Sequence, residues 1–99
     1  MSKHVIKMQG FTNGTPMPHA GQYLKSFDFN ANDGQGWGEF TVKARDAMIF
    51  PSQVAAFEFW RTTSDVKPVR PDGEPNRPLT CANVSIEEIP EYGQQKDDD

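Results

Sequence analysis

Residues 51–60 read Pro51-Ser52-Gln53-Val54-Ala55-Ala56-Phe57-Glu58-Phe59-Trp60, and the fold depends on how this stretch is read. Ser52 is a good helix N-cap, because its hydroxyl can accept a hydrogen bond from an N–H group that the first turn leaves unpaired. Ala56, Phe59 and Trp60 fall at i, i+3 and i+4, while Gln53, Glu58 and Arg61 face water. The pattern predicts a compact helix of about ten residues. Thr62-Thr63-Ser64 is a weak helix former and ends it.

Outward from this helix the pattern changes period. His4-Val5-Ile6-Lys7-Met8-Gln9 reads as a first strand closed by Gly10, and residues 10–21 form a loop dense in Gly, Asn and Pro. Tyr23, Lys25, Phe27 and Phe29 alternate with Leu24, Ser26 and Asp28, which is a strand of period 2 with a large apolar group on both faces. Residues 30–38 (NANDGQGWG) are turn-forming, since Asn, Asp and Gly tolerate positive φ. A third strand follows over 38–43, with Phe40 and Val42 on one face, and a hairpin is the simplest link between the second and third strands. Residues 44–50 suggest a short helical turn leading to a buried edge. After the helix, residues 65–78 hold Pro68, Pro71, Pro75 and Pro78, so they form neither a helix nor a central strand. Leu79–Ile89 completes the set as a last strand, with Ala82, Val84 and Ile86 facing one way. The order β-β-β-α-β predicts an α+β domain, a small antiparallel sheet with one helix packed on one face.

The chain has 99 residues, enough for one modest core, and we expect a single α+β domain over 1–90. Only 35% of residues are apolar, yet seven Phe, two Trp and two Tyr are among them. Aromatic side chains bury roughly 150–250 Å² each, so the composition points to an aromatic-centred core. The net charge is −4, but Glu91, Asp97, Asp98 and Asp99 against Lys96 place −3 of it in residues 91–99. Only −1 belongs to the first ninety residues. We therefore expect a near-neutral body with a disordered acidic tail over 91–99, which argues against nucleic acid as a partner. Cys81 is the single cysteine, which rules out a disulfide framework within the chain and fits the cytoplasm. No apolar run approaches the ~20 residues that span a bilayer, and Met1–Gly10 lacks the apolar stretch of a signal peptide.

The motifs that could carry chemistry are weak. Asp28, Asn30, Asn32 and Glu39 match positions 1, 3, 5 and 12 of a calcium loop, but position 6, which needs glycine, is Asp33. Gly34, Gly36 and Gly38 lead into a strand, whereas a phosphate-binding loop leads into a helix. His4 and His19 are too few for a zinc site and lack triad partners, so both read as surface histidines. Cys81 has no neighbouring His or Lys to activate it and reads as a buried or half-buried thiol. Glu87 and Glu88 are adjacent on a strand, point to opposite faces and cannot share a proton. We expect no catalytic residue, no metal and no cofactor.

Gly38-Glu39-Phe40-Thr41, residues 47–52 (AMIFPS), residues 56–60 (AFEFW) and residues 70–80 (RPDGEPNRPLT) carry a resemblance. Over about residues 4–89 the chain resembles small uncharacterised proteins of proteobacterial genomes and prophages. The resemblance implies a short accessory protein of a mobile element, of the kind that binds a host or phage protein, inhibitors of bacterial defence included. It carries over no functional residues. From the residues themselves, Arg70 and Arg77, displayed on a proline-stiffened loop, are the expected partner-binding groups. Trp37 is a further anchor if it stands exposed, although folding back onto the sheet is the expected placement for a lone Trp. The alternative is a small nucleic-acid-binding module using sheet aromatics and the Arg61–Arg77 segment, whose net charge is only +1.

Overall fold

The computed structural model describes residues 3–89, so the expected end of the domain at Pro90 and the acidic tail over 91–99 lie outside the described residues. Four strands, β1 (Lys3–Phe11), β2 (Tyr23–Asp28), β3 (Trp37–Thr41) and β4 (Ala82–Ile89), form an antiparallel sheet of order β3-β2-β1-β4. A single left-handed turn, Ala31–Gly34 (α1), lies between β2 and β3, and one main helix, Gln53–Trp60 (α2), contacts β1 and β4. The fold is α+β, as the β-β-β-α-β pattern predicts. The three N-terminal strands run as a meander, and the segment containing α2 returns the chain to the free side of β1, where β4 pairs along nearly its whole length.

The helix starts where the sequence indicates. Ser52 is extended and its Oγ accepts from the Ala55 N–H at 3.0 Å. Residues 48–50 continue the sheet edge beyond β2: the Met48 N–H donates to the Leu24 carbonyl at 3.0 Å, and His4 and Phe50 exchange two bonds of 2.9 Å. This is the buried edge expected after the 3₁₀ turn at Ala44–Asp46.

A β-bulge accounts for the ambiguous alternation in β2. Leu24 pairs with Phe40 and Ser26 with Glu39, so Lys25 is the extra residue. One inserted residue reverses the side-chain parity of everything after it. Leu24, Phe27 and Phe29 thereby share the core face, while Tyr23 joins Lys7 on the other face, the Lys7 Nζ lying 5.8 Å from its ring centroid. The expectation that Tyr23 and Phe27 share a face is corrected accordingly.

The core is also differently composed from what the aromatic content suggests. The fully buried large side chains of its cluster are Ile6, Met8, Leu24 and Leu79, Phe50 is buried with them, and the other aromatics pack around this group; Val5 is buried on the opposite face. Phe27, Phe29, Phe59 and Phe50 form a continuous series with centroid separations of 4.8, 5.0 and 5.3 Å. A domain this small cannot cover large rings completely, so compact aliphatic groups take the centre. Three local expectations fail. Val42 lies beyond the end of β3 and is exposed, Pro78–Cys81 is a 3₁₀ turn preceding β4, and Trp37 begins a strand with its side chain in solvent.

Candidate functional site

The two segments that sequence reading treats as separate loops, 30–38 and 65–78, hold each other. The Asn30 Oδ1 accepts from the Ser64 Oγ at 3.1 Å, the Asp65 N–H at 2.7 Å and the Val66 N–H at 3.2 Å. In return, the Asn76 Nδ2 donates to the Gly34 and Lys67 carbonyls, both at 2.8 Å. Ser64 is 1% exposed, and its N–H donates to the Asn76 carbonyl. The close approach requires Gly34. It has φ +87°, and a Cβ there would lie 2.6 Å from the Lys67 Cβ. Asn32 and Asp33 are also left-handed, a conformation that Asn and Asp adopt more readily than most residues. Of the oxygens that match a calcium loop, the Asn30 Oδ1 is directed to residues 64–66 and the Asp28 Oδ1 accepts from the Asn30 N–H. Among the described residues no cluster of three potential metal ligands is present.

From this anchor, residues 68–76 project as a small hairpin arm. Val69 and Pro75 form a β-bridge, and the Arg70 N–H donates to the Glu74 carbonyl at 2.8 Å. The turn at its tip is Pro71-Asp72-Gly73, with Gly73 at φ +89°. Arg70 opens that turn, its carbonyl accepting from the Gly73 N–H, and its guanidinium is held by Asp72, with Nη2 to Oδ2 at 2.9 Å and Nε to Oδ1 at 3.4 Å. The hydrogen bond from Arg70, and then that from the Glu74 N–H, hold the Asp72 carboxyl below its ordinary range; the same bond to Asp72 raises Arg70. Both side chains stay about half exposed. Arg77 is placed differently. It is half-buried, and its Nε is buried with no acceptor among the described residues. Its carbonyl accepts from the Thr80 Oγ1 at 2.7 Å and the Thr80 N–H at 3.0 Å, which closes the 3₁₀ turn. The arginines thus differ in role: Arg70 is displayed and Arg77 is packed at the base.

Trp37 is 63% exposed on β3, an outer strand of the sheet, so the expected folding back does not occur. Beside it lies a cavity of ≈ 260 Å³, lined by Trp37, Phe27 and Phe40 from the hairpin, Met8 from β1, Met17 and His19 from the 12–22 connection, and Pro78 and Leu79 from the 3₁₀ turn. His19 stacks on Phe40 with centroids 4.1 Å apart and an 18° interplanar angle, so it is not an ordinary surface histidine. Cys81 is also a lining residue. It is exposed at the residue level, yet desolvation raises its thiol pKa and keeps it a poor nucleophile. Arg77 immediately precedes the lining residue Pro78, whereas Arg70 is not a lining residue.

Sequence reading missed Met17, His19 and Leu79 as residues that line this cavity with Trp37, and no local signal identifies them, because they come from two connections distant in sequence from Trp37. Glu87 and Glu88 lie on opposite faces as expected, Glu87 opposite Val5 and Glu88 opposite His4 in the pairing register. Among the described residues no helix is long and apolar enough to cross a membrane. Comparison with family models, curated proteins and solved structures gives no match to this chain.

Proposed function

We propose that the chain is a non-enzymatic, protein-binding accessory factor of a phage or mobile element, acting in the cytoplasm as a modulator or inhibitor of a host pathway. The observation that carries the reading is Trp37. A large aromatic that is 63% exposed on an outer strand is the residue type that most often concentrates binding energy. Arg70 supports it as a second contact, because Asp72 already holds the guanidinium in place and less side-chain freedom is lost when a partner docks. Arg77, half-buried at the base of the arm, is a lesser contact in this reading.

A nucleic-acid-binding reading draws less support. Tyr23, the sheet aromatic that such a module would use for stacking, has Lys7 over its ring, and Lys7 also reaches Glu87 at 3.9 Å.

The test is capture from a bacterial lysate by the wild-type chain, by Trp37→Ala and by Arg70→Glu, with bound proteins identified by mass spectrometry. The expected result is a protein retained by the wild type, lost with Trp37→Ala and weakened with Arg70→Glu, while both variants melt as the wild type does. Equal retention by all three would overturn this site. Retention that disappears on nuclease treatment would favour the nucleic-acid reading.

A further inference from the structure

Protein interiors are close-packed, and voids larger than a water molecule are few in any domain. The ≈ 260 Å³ cavity between the hairpin and the 3₁₀ turn opens to solvent beside the exposed Trp37, and its walls show why the chain does not fill it. Gly36 and Gly38 present no side chain, and the Phe27 and Phe40 rings press against their backbone. A Cβ on Gly36 would lie 2.5 Å from Phe27, and one on Gly38 would lie 2.9 Å from both Phe27 and Phe40. Laid along the strand in this way, the rings form a wall and leave the space beside them open. A void of about 150 Å³ with apolar walls holds one benzene, and drug-sized sites start near 300 Å³. This cavity falls between them, which fits one or two fused rings.

The lining also selects for chemistry. It contains no Asp, Glu, Lys or Arg, so an ion that enters gives up part of its hydration and finds no charged partner. Aromatic walls favour offset or edge-on ring contacts, and the Met8 and Met17 thioethers make favourable contacts with ring edges. The polar side chains at the lining are His19 and Gln35, with the Cys81 thiol beside them, and His19 is the one fixed by a ring contact. His19 is oriented by its stack on Phe40, and among the described residues neither ring nitrogen makes a hydrogen bond. It can serve a single hydroxyl or ring N–H on the ligand.

We propose that this cavity is a binding site for a small uncharged aromatic molecule of one or two rings carrying one hydrogen-bonding group. The proposal does not depend on the protein-binding reading, which rests on the exposed face of Trp37.

The experiment titrates indole into the full chain carrying ¹³C-labelled methionine methyls. The Met8 and Met17 methyls are expected to shift saturably, Met48 is expected to stay in place, and benzoate at the same concentration is expected to produce no saturable shift. Met17→Trp, which fills the space from the loop side, is expected to weaken indole binding at least tenfold. Nuclear Overhauser contacts from the indole ring to the Met8 and Met17 methyls, absent at Met48, test the same placement in the unmodified chain if that variant fails to fold. Shifts that never saturate, or contacts spread equally over all three methyls, would overturn the site. Tighter binding of n-octanol than of indole would overturn its aromatic selectivity.

Discussion

Over β1 and β4 the core face of the sheet is covered by α2, whereas over β2 and β3 it is covered by the 12–22 connection and the Pro78–Cys81 turn. On the helix side Ile6, Ala56, Phe50 and Phe59 belong to one packed cluster, and the Trp60 Nε1–H reaches the Ala82 carbonyl at 3.2 Å. On the loop side Leu24 and Leu79 belong to the same cluster and Met17, Phe27 and Phe40 pack against it, but a solvent-open cavity remains beside them. The difference comes from backbone form. A helix supplies side chains at short, regular intervals along one face, so it can fill the space above a sheet. Segments held by Pro16, Pro18 and Pro78 have their backbone paths fixed by turns and offer only the side chains that happen to point inward. One cluster thus runs through both halves, closed under the helix and open to solvent on the loop side.

The largest expected effect distinguishes these halves directly. Phe59→Ala on the packed side should cost about 3–5 kcal/mol, the range for removing a large core aromatic. Met17→Ala, at the half-exposed wall of the cavity, should cost about 1 kcal/mol, because it enlarges an existing space and is partly compensated by water. Urea unfolding of both variants measures the contrast, and equal losses would mean that the two halves are packed alike.

A second expectation concerns what holds the loop half to the rest. Asn30→Ala removes one acceptor and leaves the Ser64 hydroxyl and the Asp65 and Val66 N–H groups without it. The expected loss is about 1 kcal/mol, because only the Ser64 hydroxyl is partly buried and water can reach the two exposed N–H groups. Hydrogen exchange would show faster exchange at Asp65 and Val66 than at β1 amides. Unchanged exchange there would mean that water replaces the Asn30 oxygen without loss.

The smallest effect belongs to the exposed arm. Asp72 titrates below its ordinary value of 3.8 in the fold, so its contribution is fully present above that value. It is lost as the pH falls through the lower folded value. Asp72→Asn should therefore lower the melting temperature slightly near neutrality and not at all in strong acid. A difference that persists in strong acid would place the effect in the turn geometry and not in the Arg70–Asp72 pair.

Much of the architecture was legible because it is written in local spacing. Ser52 before an i, i+3, i+4 pattern marks the helix, β-branched residues closed by Gly10 mark β1, alternation marks β2 and β4, and the prolines of 65–78 exclude a helix or a central strand there. The bulge at Lys25 was visible only as a conflict, with Leu24 on one face and Phe27 and Phe29 on the other. Pairing with β3 resolves it by reversing the parity. The exposure of Trp37 was not legible, because a residue's neighbours across a sheet edge leave no trace in its own segment.

By itself, the sequence determined the class of the domain, the order of its elements, and the near neutrality of its first ninety residues. These follow from side-chain periodicity, backbone preference and charge, all of which act within a few residues. The tertiary structure alone decided the pinning of 30–36 to 64–76 and the cavity beside Trp37. The hydrogen bonds that make the first join residues 34 to 42 positions apart, and the walls of the second come from strands, a loop and a turn spread from Met8 to Ala82. Contacts at such separations exist only once the chain has closed on itself, and closure is set by the summed packing of the whole domain.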